Sequence, residues 1–171
     1  MSDIFDTGER AAIADERTTL ETFLDYYRAA VRNKVHGLSE DQARLRLVPS
    51  ATTLGGLLKH LRMVEASWFQ YRLAQLPRDE VTAFRALGDG PDPDFDLAPH
   101  ETVERLVASY DEECARSRET ADRFDLDHVV PHSKLGQVSL RWIYVHMIDE
   151  TARHAGHADI LRELIDGSTG D

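Results

Sequence analysis

The sequence predicts an all-α protein: a four-helix bundle in up-down-down-up order, with a long crossover loop between its second and third helices. Three observations carry this. Apolar residues recur at three-and-four spacing in four long segments, clusters of Gly, Pro and Asp punctuate them, and one connection of roughly twenty residues is long enough to run the length of a bundle. With 171 residues, a single domain over 1–171 is expected, since a chain of this size buries one core more readily than two.

The first helix is expected from about Asp15 to Val35, where Leu20, Phe23, Leu24, Tyr27, Val31 and Val35 form an amphipathic stripe. His36-Gly37 supplies its stop. Leu38 to Pro49 reads as a connection, and Ser50, Thr52 and Thr53 are candidate caps for a second helix from about Thr53 to Leu76. Its wide apolar face, including Leu54, Leu57, Leu58, Leu61, Trp68 and Tyr71, places it deep, and Gly55-Gly56 permits close helix contact. Pro77 closes it, and the segment from Arg78 to Ala98, rich in Asp, Pro and Gly, is the crossover. Pro99 suits the first turn of a third helix that runs to about Phe124. A loop with Pro131 and Gly136 then leads to Ser139, the cap of a fourth helix ending near Ile165, before Gly167.

Charge and motifs remove several classes of function. The net charge of −11 repels phosphate backbones and anionic headgroups, so neither nucleic acid nor a membrane is an expected partner. No apolar run reaches the roughly 18 residues of a spanning helix, and the start of the chain has no secretory pattern, so a cytoplasmic protein is expected. Asp3, Asp6, Glu9 and Arg10 read as a solvated face. A lone cysteine, Cys114, excludes an internal disulfide and any CxxC metal or redox motif; it reads as a small buried hydrophobe. HExxH, GxSxG, GxGxxG and P-loop patterns are all missing from the sequence.

Chemistry concentrates in RWIYVHMIDETARHAGHADILRELIDG, where polar residues occupy positions that the helical period assigns to the core. If Ile143, Met147, Leu161 and Leu164 define the apolar stripe, the ladder between them passes through Glu150, His154 and His157. A carboxylate and imidazoles buried without partners cost several kcal/mol each, and a divalent cation satisfies them together. Because residues eight apart on a helix are separated by roughly 12 Å, His146, Glu150 and His154 cannot share one ion. Glu150 and His154, one turn apart, can.

The third ligand must come from another helix, and His60, on a face with Leu57, Val64, Ser67 and Trp68, is the candidate. Two histidines and one carboxylate leave coordination positions open, the pattern of a catalytic site. Glu150 is not followed by His three residues later, so a mononuclear centre is expected over a di-iron one. Spacing alone also permits a buried Glu150–His154 ion pair. His157 is open between a rival ligand, an outer donor held by Asp159 or another carboxylate, and a substrate contact; His157 and His146 are the candidate proton acceptors. Ser67 and Trp68 are the candidates for cofactor contact, although Trp68, Phe69, Trp142 and Tyr144 also read as packing residues.

The stretches DERTTLETFLDYYRAAV from Asp15, GLSEDQARLRLVPSATTLGGLLKHLRMVEASWF from Gly37 and SLRWIYVHMIDETARHAGHADILRELIDG from Ser139 resemble the DinB/YfiT-like superfamily of metal-dependent enzymes. The resemblance is to its actinobacterial branch related to mycothiol-dependent maleylpyruvate isomerase, and it covers nearly the whole chain. It implies a four-helix bundle whose three ligands bind zinc or nickel, one being a histidine of the second helix, here His60. In the isomerase branch the other two are Glu-x3-His on the fourth helix, here Glu150 and His154. Where many relatives carry Gln, this chain has His157.

The resemblance further implies mycothiol or a similar low-molecular-weight thiol as co-substrate, a small electrophile as its acceptor, and a thiol transferase or thiol-dependent isomerase as the activity. A homodimer is expected. Two other readings stay open from the sequence: a metal- or small-molecule-binding protein without turnover, and a hydrolase that activates water on the ion.

Overall fold

A computed structural model describes residues 11–85, 87 and 92–169. It is mostly helical: α1 (Glu16–Val35), the short α2 (Glu40–Ala43), α3 (Leu54–Glu65, continuing as a π-helix over Ala66–Leu73), the short α4 (Thr82–Arg85), α5 (Val103–Ala121) and α6 (Leu140–Asp166). Between α5 and α6 lies an antiparallel hairpin, β1 (Val129–His132) and β2 (Gly136–Ser139). Asp3, Asp6, Glu9, Arg10 and the Gly88 to Pro91 part of the crossover lie outside the described residues.

Local chemistry explains most of the boundaries. Asp15, Thr53, Thr102 and Ser139 each accept a backbone N–H of the first turn that follows, so α1, α3, α5 and α6 start where an oxygen satisfies an orphan donor. Gly167, at φ 75°, ends α6 in the left-handed region. The cap at Thr102 starts α5 after Pro99, correcting the expected first turn at that proline. Ser39 and Gln42 form a capping box, which makes α2 a helix where only a connection was expected.

Two departures matter for the site. The second helix does not stay α-helical to Leu76: its backbone widens at Ala66 into a π-helix, which turns Trp68, Phe69 and Gln70 inward together and leaves Tyr71 39% exposed. The segment before α6 is not a plain loop. Val130 pairs with Val138 across the hairpin, both are buried, and both join Leu24, Phe69, Ile143 and Met147 in one part of the core. A second part of the core brings Val31, Leu57, Leu61, Leu106, Tyr110 and Leu161 together from α1, α3, α5 and α6.

The buried stripe of α6 is Leu140, Ile143, Tyr144, Met147, Thr151, Ala155, Ala158 and Leu161. This corrects the expected stripe by about one residue's rotation: Leu164 is 58% exposed, His157 is exposed, and Glu150 and His154 flank the core at half-buried positions. The cause is close packing. Thr151, Ala155 and Ala158 are small, and α6 makes its most extensive helix contact with α1, so the small side chains take the interface and the larger polar ones move to its edge.

Gly55 and Gly56 do serve close approach, but to the crossover as well as to a helix. A Cβ at Gly56 would stand 2.8 Å from the Phe95 carbonyl oxygen, and one at Gly55 would stand 2.6 Å from Leu97 Cδ1. The loop is clamped there. Lys59 donates to the Asp96 carbonyl and to Glu101, while Arg44 donates to the carbonyls of Leu97, Ala98 and Glu101.

Candidate metal centre

His60 of α3 and the pair Glu150 and His154 of α6 meet on the seam between these two helices. One ligand atom from each lies within 4.8 Å of the other two. Nε2 of His60 is 3.4 Å from Oε1 of Glu150, and Nε2 of His154 is 3.3 Å from the same oxygen. These separations are long for hydrogen bonds, which centre near 2.9 Å. They match instead the edge of a coordination tetrahedron, which is roughly 3.3 Å for ligand bonds of about 2.0–2.1 Å. The donor set therefore fits a single divalent cation with positions left open.

The Nδ1 side of His60 is tied down. Asp94 of the crossover places Oδ2 2.6 Å from it, and Phe95 stacks on the ring at 4.6 Å between centroids. A carboxylate on one imidazole nitrogen fixes the tautomer that keeps the other free for a cation. The loop reaches this position because Gly56 lets Phe95 approach and because Lys59 and Arg44 hold the residues that follow.

The electrostatics keep the ligands in their binding forms. Burial works against the charged form of Glu150, but the nearby imidazoles of His60 and His154 outweigh it and hold the carboxyl below its usual range. Burial, reinforced by His60, pushes the His154 imidazole below its usual value. An anionic carboxylate and a neutral imidazole are the states that ligate divalent cations.

The other sequence candidates surround this cluster. His157 is exposed, and its Nδ1 lies 3.4 Å from Nδ1 of His154, on the side of the ring away from Glu150. Asp159, expected as its partner, instead pairs with Lys34 at 2.7 Å. His146 stands one turn before Glu150, stacked on Trp142 at 5.1 Å and tilted against Trp68 at 4.6 Å. Burial lowers its basicity, so it is a neutral imidazole at physiological pH. Ser67 and Trp68 line a cavity of about 230 Å³ between α3 and the crossover, together with Val64, Arg72, Phe84 and Asp94. Asp94, Phe95 and Arg72 are the residues that sequence reasoning missed. The Asp-rich segment reads only as the crossover, and nothing in its periodicity reveals that one carboxylate turns toward a histidine.

The sequence matches the mycothiol S-transferase family over residues 19–167. The chain belongs to that family. No curated protein matches the chain. Among solved structures, a conserved protein from Enterococcus faecalis is similar, with a TM-score of 0.65 at 15% identity, covering 91% of this chain and 99% of that one. At that identity the likeness establishes a shared fold. Family membership marks the chain as a transferase of the mycothiol type. No helix among the described residues is long and apolar enough to cross a membrane.

Proposed function

We propose that this chain is a metal-dependent S-transferase that joins a low-molecular-weight thiol of the mycothiol type to a small electrophile. The observation that carries the proposal is the convergence of His60, Glu150 and His154 at coordination spacing in a chain of the mycothiol S-transferase family. In this reading the three residues hold zinc or nickel. The bound ion would supply a Lewis acid that raises the thiolate population of a thiol near neutral pH.

The chain's own residues do the rest. Asp94 fixes the ring of His60, and His157 stands at the outer nitrogen of His154 as its neighbour on the solvent side. His146, neutral and set between two indoles, accepts the thiol proton. Ser67 and Trp68 contact the bound molecules in the adjoining cavity. The sulfur forms a bond to the electrophilic carbon, and the leaving group departs with its electron pair; in an addition, His146 returns the proton to the product. No protein nucleophile takes part. The proposal includes a single domain built as an up-down-down-up four-helix bundle, working as a cytoplasmic homodimer.

Metal analysis of purified wild type beside His60→Ala, Glu150→Ala and His154→Ala tests the site, with near-stoichiometric metal expected only in the wild type. Metal-loaded protein with mycothiol and monochlorobimane tests the reaction, with thiol-dependent conjugation expected. Stoichiometric metal in all three variants would reassign the ligands, and no conjugation with any thiol would overturn the activity.

A further inference from the structure

Among the described residues that line the cavity beside the candidate metal centre, Arg72 is the one cation. Its Nη1 donates to the carbonyl and hydroxyl oxygens of Ser67, and its guanidinium lies 4.6 Å over the Trp68 ring. Among the described residues no carboxylate comes within ion-pair distance of it, and its Nε and Nη2 have no hydrogen-bond partner. The buried Arg28, by contrast, is neutralised by Glu65 and Asp25. The free Nε and Nη2 reach solvent at the cavity wall, where they are open to an incoming anion.

The walls say what else that anion carries. Trp68, Val64 and Phe84 are apolar, Asp94 stands with His60 at one end, and Arg72 stands on the later turns of α3. At about 230 Å³ the cavity is below the roughly 300–1,000 Å³ of drug-sized sites, so its occupant is small. We infer that Arg72 is a specificity-determining residue that binds the carboxylate of a small, apolar-bodied acid, with the acid's other end directed toward His60. The inference rests on the transferase reading only in naming that acid as the electrophile. Arginine suits the task because its planar fork offers two parallel N–H donors to a carboxylate. Pinned over Trp68 and by Ser67, Arg72 is held in place before the anion arrives.

The test is equilibrium binding of phenylacetate and its neutral amide, phenylacetamide, followed by tryptophan fluorescence, because Trp68 lines the cavity. The wild type should bind the acid roughly ten- to a hundredfold tighter than the amide, the range expected for hydrogen bonds to a charged group. Arg72→Gln should lose that preference, and Arg72→Lys should recover part of it. Equal affinity for acid and amide in the wild type, binding of neither, or a preference that survives in a folded Arg72→Gln protein would each overturn the inference. Thiol conjugation of monochlorobimane by the wild type separates the two ideas. If it fails while the Arg72-dependent acid preference holds, the anion site stands and the transferase reading falls.

Discussion

Oδ2 of Asp94 lies 2.6 Å from Nδ1 of His60, so a residue of the crossover sets the ring orientation of a side chain on α3. Partners of this kind are commonly worth ten- to roughly a hundredfold in metal affinity, because they fix the tautomer and raise the basicity of the free nitrogen. Asp94→Ala should therefore weaken zinc or nickel binding by about that factor while leaving one site per chain. Titration against a chromophoric chelator reads it directly. An unchanged dissociation constant would mean that the carboxylate is a bystander.

The same relationship makes Gly56 a positioning residue at a distance. Alanine there would put a Cβ 2.8 Å from the Phe95 carbonyl oxygen, which is backbone and cannot rotate away. The loop must move, at a cost of about 1–3 kcal/mol against a helix-propensity gain of up to about 1 kcal/mol. Gly55→Ala meets the flexible end of Leu97 at 2.6 Å and backbone only at 3.1 Å, the Ala43 carbonyl oxygen, and should cost less. Urea unfolding of both variants should show the larger loss for Gly56→Ala, and chelator titration should show that this variant alone loses metal affinity.

How far the site was legible in the sequence follows from these residues. Glu150, His154 and His60 announce themselves because two share a helical turn and the third needs only a facing helix; hydrophobic periodicity and helix rise suffice. Thr53, Ser139 and Gly167 mark helix ends for equally local reasons. Asp94 and Arg72 do not announce themselves, because their roles depend on a loop path fixed by Gly56, Lys59 and Arg44 and on a π-helix that no residue preference signals. The hairpin was hidden by Pro131, which tolerates a strand edge, and the stripe of α6 was misplaced because small residues can take an interface from larger apolar ones.

Cys114 is buried on α5, and burial pushes its thiol far above the ordinary range. A thiol held neutral is a poor nucleophile. Cys114→Ala should retain thiol-transfer activity within about twofold and lose only on the order of 1 kcal/mol of stability from the shortened side chain. Native protein should resist iodoacetamide until denaturant is added. Rapid alkylation, or activity lost in a folded variant, would give this cysteine a role that its surroundings do not support.

Arg28 donates to both oxygens of Glu65 at 2.7 Å, joining α1 to α3 in the interior, where neither side chain meets much solvent. Arg28→Met leaves a buried carboxylate without its cation, a change that costs about 3–5 kcal/mol in comparable pairs. Replacing both, as Arg28→Met with Glu65→Met, removes the stranded charge and should recover most of the loss. A double-mutant cycle in urea would show strong coupling; additive effects would mean that other groups already compensate Glu65.

Glu113 gives the stability a pH dependence of known sign. It is buried on α5, where it accepts from Gln70 and pairs with Arg116 at 2.8 Å. Burial outweighs those partners and raises its carboxyl above the ordinary value of 4.5. A carboxyl whose pKa is higher folded than unfolded stabilises the fold fully below the unfolded value, and that contribution is lost as pH rises through the folded value. Glu113→Gln has no proton to lose. Relative to wild type, its urea midpoint should therefore improve as pH rises from about 4 toward 7, because the wild type alone must ionise a buried group over that window. A difference between the two proteins that stays constant across the window would show that the carboxyl ionises inside the fold at no cost.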